Sequence, residues 1–363
     1  EIRVTNVIGE NGNSPVNFTK GINMSGICTA PAFIPSQGQL SHRNLVINGD
    51  MRIAQRATTD TGVSGYNTID RMQGNSGGTD EAPTQAQVDV ASGTTPYTLG
   101  FRKAFRFTNG NQTSGAGAGD YVHLKMVLEA QDIANSGWNY KSSSSFITLS
   151  FWVKSSVAQD FSATLRTEDG TRQVYNMTTG SLTADTWTKI TKTIPGNSNL
   201  QFDDNANSGL TLFINAFTGT SNTTTGLAQN TWSAWGSAKY APDMTSTWYT
   251  TNDATFEFTG IQLEVGDTAT SFEHRSIGEE LSRCQRYCFI LPQSHQGTSP
   301  NSQYVDMYIY HPTIMRAKPT VTQVSPQNIG GYDSNESGTY ASRFYTNSGT
   351  PRLGSGTKFE AEL

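Results

Sequence analysis

Charged residues are scarce in this chain: Asp, Glu, Lys and Arg make up 15% of its 363 residues, and the formal net charge is −5. Lysine and arginine form no cluster, and the isoelectric point is near 5.6. Both facts argue against nucleic-acid binding, which works by neutralising phosphates. Long apolar runs are missing too. None approaches the ~20 residues that span a bilayer, so no membrane insertion is expected. The opening EIRVTNVIGENG has neither the basic start nor the apolar core of a signal peptide. It also lacks an initiator Met, so a further N-terminal region is expected to precede it. Three cysteines give no disulfide framework, and Cys284 and Cys288, one helical turn apart, read as small core residues. The five histidines show no HExxH or other metal-ligand spacing. There is no GxSxG elbow, no P-loop and no β-helix period. Glu279 and Glu280 are adjacent on a predicted helix, where they point about 100° apart and suit its first turn, not paired catalysis. No enzyme and no cofactor is expected.

What remains is aromatic and turn-rich. Aromatics reach 10%, with 35 glycines and abundant Ser, Thr and Asn, a composition that fits a β protein with a large polar surface better than a disordered chain. At this length two or more folding units are expected. Strict alternation marks strands: Val122, Leu124, Met126 and Leu128; then Ile147, Leu149, Phe151 and Val153; then Phe161, Ala163 and Leu165. Glu168-Asp169-Gly170-Thr171 reads as a tight hairpin turn into a return strand from Gln173. Further strands are expected over 187–194, 210–217 and 255–265. Long polar loops are read at 74–82, 108–120, 196–208 and 218–230. Strands separated by turns, without helical patterns between them, predict an antiparallel sandwich.

The run 256–288 is the most structured in appearance. Phe256 and Phe258 share one phase, whereas Ile261, Leu263 and Val265 share the next. Gly260 stands at the change, which predicts a β-bulge. Ser276 and Glu279 have capping-box spacing. Ile277, Leu281, Cys284 and Cys288 then predict the apolar stripe of one short helix. His274, Arg275, Arg283 and Arg286 suggest either an anion site or ion pairs, and the nearby Glu273, Glu279 and Glu280 favour ion pairs.

Three blocks carry a resemblance. Gly260-Ile-Gln-Leu-Glu-Val-Gly266, Phe272-Glu-His-Arg-Ser276 and Cys284-Gln-Arg-Tyr287 form the first. Asn44-Leu-Val-Ile-Asn-Gly-Asp-Met-Arg-Ile-Ala-Gln-Arg56, followed by Tyr66 and Asp70-Arg71, forms the second, and Leu149-Ser-Phe-Trp-Val-Lys-Ser155 the third. Together, over 44–291, they resemble phage tail-fibre and related virion appendage proteins, most of all those of marine cyanobacterial phages. The resemblance implies a carbohydrate-binding-like jelly roll, a homotrimer, and a structural or adhesive task in the virion, assembled in the host cytoplasm.

The expected fold is thus all-β, an antiparallel jelly-roll-like β-sandwich over 44–275. A shaft-like or linker segment precedes it over 1–43. A connecting helix over 276–292 and a small C-terminal β domain over 293–363 follow it. Within the C-terminal part, Val305, Met307 and Ile309 alternate with Tyr304, Asp306, Tyr308 and Tyr310, giving a strand with one apolar side. Partners implied are other virion proteins at the N-terminal end and host surface polysaccharide or lipopolysaccharide. The aromatic stretch Trp232, Trp235, Tyr240, Trp248 and Tyr249 is the candidate for sugar contact, since sugar C–H faces lie on indole and phenol rings. Its other reading is a cover over the sandwich's open edge. Asp203, Asp204, Asn205 and Asn207 supply hard oxygen ligands for a structural calcium, or else a solvated turn. A competing function is a capsid-decorating or tail-joining subunit without sugar binding.

Overall fold

A computed structural model describes residues 41–62, 64–297, 306–333, 335–346 and 350–363. The shaft expected over 1–43 lies almost wholly outside the described residues. The first ten strands are β1 (Thr59–Thr61), β2 (Gln73–Gly77), β3 (Thr84–Asp89), β4 (Lys103–Thr108), β5 (Tyr121–Glu129), β6 (Phe146–Ser155), β7 (Asp160–Thr167), β8 (Gln173–Ser181), β9 (Thr188–Pro195) and β10 (Ser208–Thr218). Two further strands, Trp232–Ala234 and Thr255–Val265, complete two six-stranded sheets. One sheet runs β1, β3, β4, Thr255–Val265, β6, β9; the other runs Trp232–Ala234, β8, β7, β10, β5, β2. Every pairing within them is antiparallel.

The alternation read from the sequence is the cause of this architecture. Side chains of a strand point to opposite faces with period two, so each apolar set turns inward together. Phe105 and Phe107 of β4, Leu149 and Phe151 of β6, Leu124 and Met126 of β5, and Leu212 and Ile214 of β10 meet in one buried core between the sheets. Phe161 stacks on Phe256 at 4.1 Å and ties the two layers together. The hairpin predicted at Glu168–Thr171 joins β7 to β8, and Gly170 takes φ +57° there.

The bulge falls where it was expected. Between Thr259 and Gln262 the pairing with β6 slips by one residue, and Gly260 sits at φ +65°. The extra residue returns Ile261 and Leu263 to the core that Phe256 and Phe258 already face. A side chain at position 260 would be strained twice, by the left-handed backbone and by the Phe101 ring, 2.6 Å from an added Cβ.

Two expectations are corrected. The segment 74–82 is not loop throughout, because Gln73–Gly77 is a full edge strand on β5. QGNSG carries no apolar alternation and pairs by backbone, with β5 on one side and with Gly65, through Gly74, on the other. The helix is Ile277–Gln285 and stops before Cys288, which instead begins the strand Cys288–Ile290. Ile277 is 56% exposed, while Glu280 and Cys284 take the inner face. The cap itself forms: Ser276 Oγ accepts the Glu279 amide at 3.2 Å. The Glu279 carboxylate pairs with Arg283 at 3.1 Å. Cys284 and Cys288 are buried free thiols whose pKa values burial pushes up.

After the helix, the strands Cys288–Ile290, Asp306–Tyr310, Thr320–Thr322, Ile329–Asp333, Ala341–Thr346 and Lys358–Glu360 build two three-stranded sheets. Phe289, Met307, Ile309, Phe344 and Phe359 form a second core. Met307 and Ile309 face inward, and Asp306, Tyr308 and Tyr310 face out, as their alternation predicts.

The blocks at 44–56, 66–71 and 260–287 interlock at the junction of these parts. Asn44 Nδ2 donates to the Ile261 carbonyl at 3.1 Å, and its Oδ1 accepts the Leu263 amide at 3.1 Å. Glu273 accepts the amides of Arg43 and Asn44 at 3.1 and 3.0 Å. Arg275 pairs with Glu273 and Glu280 and donates to the carbonyls of Asn44 and Val46. Arg56 pairs with Glu360 and Glu362, each at 2.9 Å. Arg71 binds Glu362 and lies 3.5 Å over the Tyr287 ring. Arg286 holds the buried Glu129 of β5 through two bonds of 2.7 and 2.8 Å. The ion-pair reading of these arginines holds, and no anion site is needed to account for them. These blocks thus form an architectural clasp.

Candidate functional site

The outward face of the second sheet carries the richest chemistry outside the core. In β5 the inward residues Val122, Leu124 and Met126 leave Tyr121, His123 and Lys125 on the opposite face. In β10, Phe213 and Asn215 share that face, in register with Lys125 and His123. Arg166 joins them from β7, paired with Thr211. Asn75 of β2, Thr218, Asn222 and Tyr240 complete a cavity of about 300 Å³.

An unbroken row of rings crosses this face. Tyr121 stacks on His123 at 5.2 Å, and His123 meets Phe213 edge-on at 5.3 Å. Phe213 meets Tyr240 at 5.8 Å, and Tyr240 meets Trp235 at 6.1 Å, both edge-on. The Arg166 guanidinium lies 5.0 Å from the Phe213 centroid and 5.8 Å from those of Tyr240 and Trp235. A glycine positions the first ring. Gly77 is paired with Tyr121, and an added Cβ would stand 2.6 Å from its ring, so only glycine lets the phenol lie over β2.

Hydrogen bonds fix the polar groups. Asn215 donates to Ser162 Oγ at 2.9 Å, and Thr164 Oγ1 donates to the Tyr240 carbonyl at 2.6 Å. Arg166 donates to the Tyr240 hydroxyl at 3.3 Å and pairs with Glu168 at 2.8 Å. Trp235 Nε1 and Thr218 Oγ1 are buried and find no partner among the described residues, a costly condition for polar atoms. Burial first, then Lys125 and Arg166, push the His123 pKa down to about 3. Its imidazole is neutral at neutral pH and serves as a ring and a hydrogen-bonding group.

The five aromatics singled out in the sequence divide. Trp248 and Tyr249 are fully buried, and Trp232 is 9% exposed; all three belong to the core between the sheets. Trp248 Nε1 donates to the Thr255 carbonyl at 3.1 Å, and Tyr249 donates to Asp120 at 3.0 Å. Trp232 Nε1 donates to the Pro195 carbonyl at 2.7 Å. Trp235 and Tyr240 alone of the five reach the outward face. Tyr121, His123, Lys125, Arg166 and Phe213 were missed. The signal for the first three was present in YVHLKMVLE, whose polar register carries two rings and a cation.

Asp203, Asp204, Asn205 and Asn207 lie in the loop before β10, where their groups tie the turn together. The Asp203 amide donates to Asp169 at 3.0 Å, and Asp203 Oδ1 accepts from Gln201 at 3.1 Å. Asp204 accepts from Asn135 at 2.8 Å, and Asn205 accepts the Asn207 amide at 2.8 Å. Among the described residues no group of three or more His, Cys, Asp or Glu is placed to hold a metal ion. No described helix is long and apolar enough to cross a membrane.

No protein-family model matches the chain, and no curated protein matches it. Among solved structures it is similar to the enzymatically active domain of tailspike protein 4 of bacteriophage CBA120, with 9% identity and a TM-score of 0.33. That match covers 61% of this chain and 21% of the other. It is also similar to a putative sugar binding protein from Bacteroides thetaiotaomicron, with 9% identity, a TM-score of 0.32, and 62% and 100% of the two chains covered. A family 11 carbohydrate-binding module from Clostridium thermocellum, in complex with a mixed-linked tetrasaccharide, gives 14% identity, a TM-score of 0.25, and 60% and 99% coverage. Scores this low carry no functional argument; the architecture stands on the two sheets themselves.

Proposed function

We propose that this protein binds glycans on the outward face of the second sheet and serves as a virion appendage subunit for host attachment. The observation that carries the binding part is the ring row Tyr121–His123–Phe213–Tyr240–Trp235 with amides and hydroxyls along it. Sugars present apolar C–H faces to rings and hydroxyls to amides, so such a surface matches both. Binding, not hydrolysis, is the reading: glycoside hydrolysis ordinarily uses two carboxylates flanking the bond, the cavity lining holds none, and the two in the adjoining hollow are engaged, Glu168 by Arg166 and Arg172 and Asp169 by the Asp203 amide. The appendage part rests on the resemblance of the three sequence blocks. A homotrimer belongs to the same reading, because weak sugar contacts become firm adhesion only through several copies.

Two experiments test it. Tyr121→Ala is expected to weaken retention on host-cell polysaccharide about tenfold, near 1.4 kcal/mol, with an unchanged thermal midpoint. Retention equal to the parent protein would move the site elsewhere. Gold labelling of intact particles with an antibody to residues 306–333 tests placement. Label at distal fibre ends supports attachment, whereas label around the capsid favours a decorating subunit.

A further inference from the structure

The face has a second property besides its rings. Lys125 and Arg166 line the cavity and also line a neighbouring hollow of about 410 Å³ with Arg172 and Thr211. The two hollows share both cations and run together as one groove across β2, β5, β10 and β7. Most charges in it are already matched. Glu168 pairs with Arg166 at 2.8 Å and Arg172 at 3.1 Å and accepts from Thr211 at 2.6 Å. Asp169, by contrast, accepts the Asp203 amide at 3.0 Å and forms no ion pair within 4 Å among the described residues. Lys125 forms no ion pair within 4 Å among the described residues. Burial, then Arg166 and Arg71, push its pKa down against the pull of Glu168. The neutral His123 adds nothing to this charge. A chain of net charge −5 thus presents an unmatched cation at the centre of its aromatic groove, where the low-dielectric floor strengthens its field.

We infer that this groove selects acidic oligosaccharides, with a sugar carboxylate seated on Lys125 and the adjoining rings laid along Tyr121 and Tyr240. The inference rests on the glycan-binding reading of the same face. A neutral sugar would cover Lys125 and strip its water without supplying a counter-charge, which is costly. A uronate or sialate residue supplies that charge and forms a charge-assisted hydrogen bond.

The test uses the full chain and paired probes that differ essentially in charge: oligogalacturonate with its methyl ester, and sialyllactose with its methyl ester. Calorimetry is run at low and at physiological salt. The acidic member of at least one pair is expected to bind about tenfold or more tightly than its neutral partner, and salt should narrow the gap. Lys125→Met should erase the preference at an unchanged thermal midpoint, and Lys125→Arg should keep it. Neutral members binding as tightly as acidic ones, or a preference that survives Lys125→Met, would overturn the inference and leave glycan binding standing. Retention of no probe by the parent protein would overturn both.

Discussion

Replacing Glu129 with alanine should lower stability by about 3 kcal/mol, at the low end of the cost of breaking a buried charge pair. Its carboxylate has no exposed surface and accepts from Arg286, from the Tyr287 hydroxyl at 2.6 Å and from Gln131. Arg286 retains 29% exposure, so water partly replaces its lost partner, which keeps the cost from the upper end. The Tyr287 hydroxyl has no such recourse. For a chain this size, such a loss corresponds to a thermal midpoint lower by roughly 4 °C. The same contact carries a pH signature. Burial works to raise the Glu129 pKa, but the bonds from Arg286, Tyr287 and Gln131 outweigh it and hold it below the usual 4.5. A carboxyl depressed in the folded state stabilises fully above its unfolded value and loses that contribution as pH falls through the folded value. The stability difference between the parent protein and Glu129→Gln should be constant above about pH 5 and shrink below about pH 4.5. A difference that stays flat through that range would mean the carboxylate is not the charged acceptor described here.

Trp248→Ala should cost about 3–5 kcal/mol, the range for emptying a buried large aromatic site. The indole is fully buried, lies 6.2 Å from Phe256 between the sheets, and donates to Thr255. Trp235→Ala should change stability by less than about 1 kcal/mol and weaken glycan retention instead. Trp235 is half-buried under Arg166 and Arg172 on the outward face, with an unpartnered Nε1. Denaturant unfolding and polysaccharide retention, measured on both variants, separate the roles. A destabilised Trp235→Ala with unaltered retention would return the whole aromatic stretch to packing.

Those two tryptophans show where sequence reading stops. Alternation named the strands because burial of one face forces period two, and Gly260 named the bulge because a phase change needs an extra residue. Ser276 announced the helix start through a local bond to its own third neighbour. The same logic failed wherever the deciding partner is remote. Trp235 and Trp248 are alike in local context, and only the sheet each meets decides which is core. Helical spacing carried Cys288 onto the helix, but the chain leaves it so that Tyr287 can reach Glu129, 158 residues away. The site residues Tyr121, His123 and Lys125 were visible as the polar half of a strand whose apolar half drew the attention. Arg166 and Phe213 join them only through register in the sheet.

The arginine clasp also sets an order of events during synthesis. Arg56 and Arg71 find their carboxylates in Glu360 and Glu362, 291 to 306 residues further along the chain. A ribosome adding about 5–20 residues per second makes them wait on the order of 15–60 s. During that interval the sandwich strands are available to pair, yet Arg71 lacks its carboxylate and Arg56 has only Asp70, at 3.6 Å, of its three. The first part of the fold is thus held in an unfinished form until the last strand arrives, and that delay is a period of exposure to chaperones or aggregation.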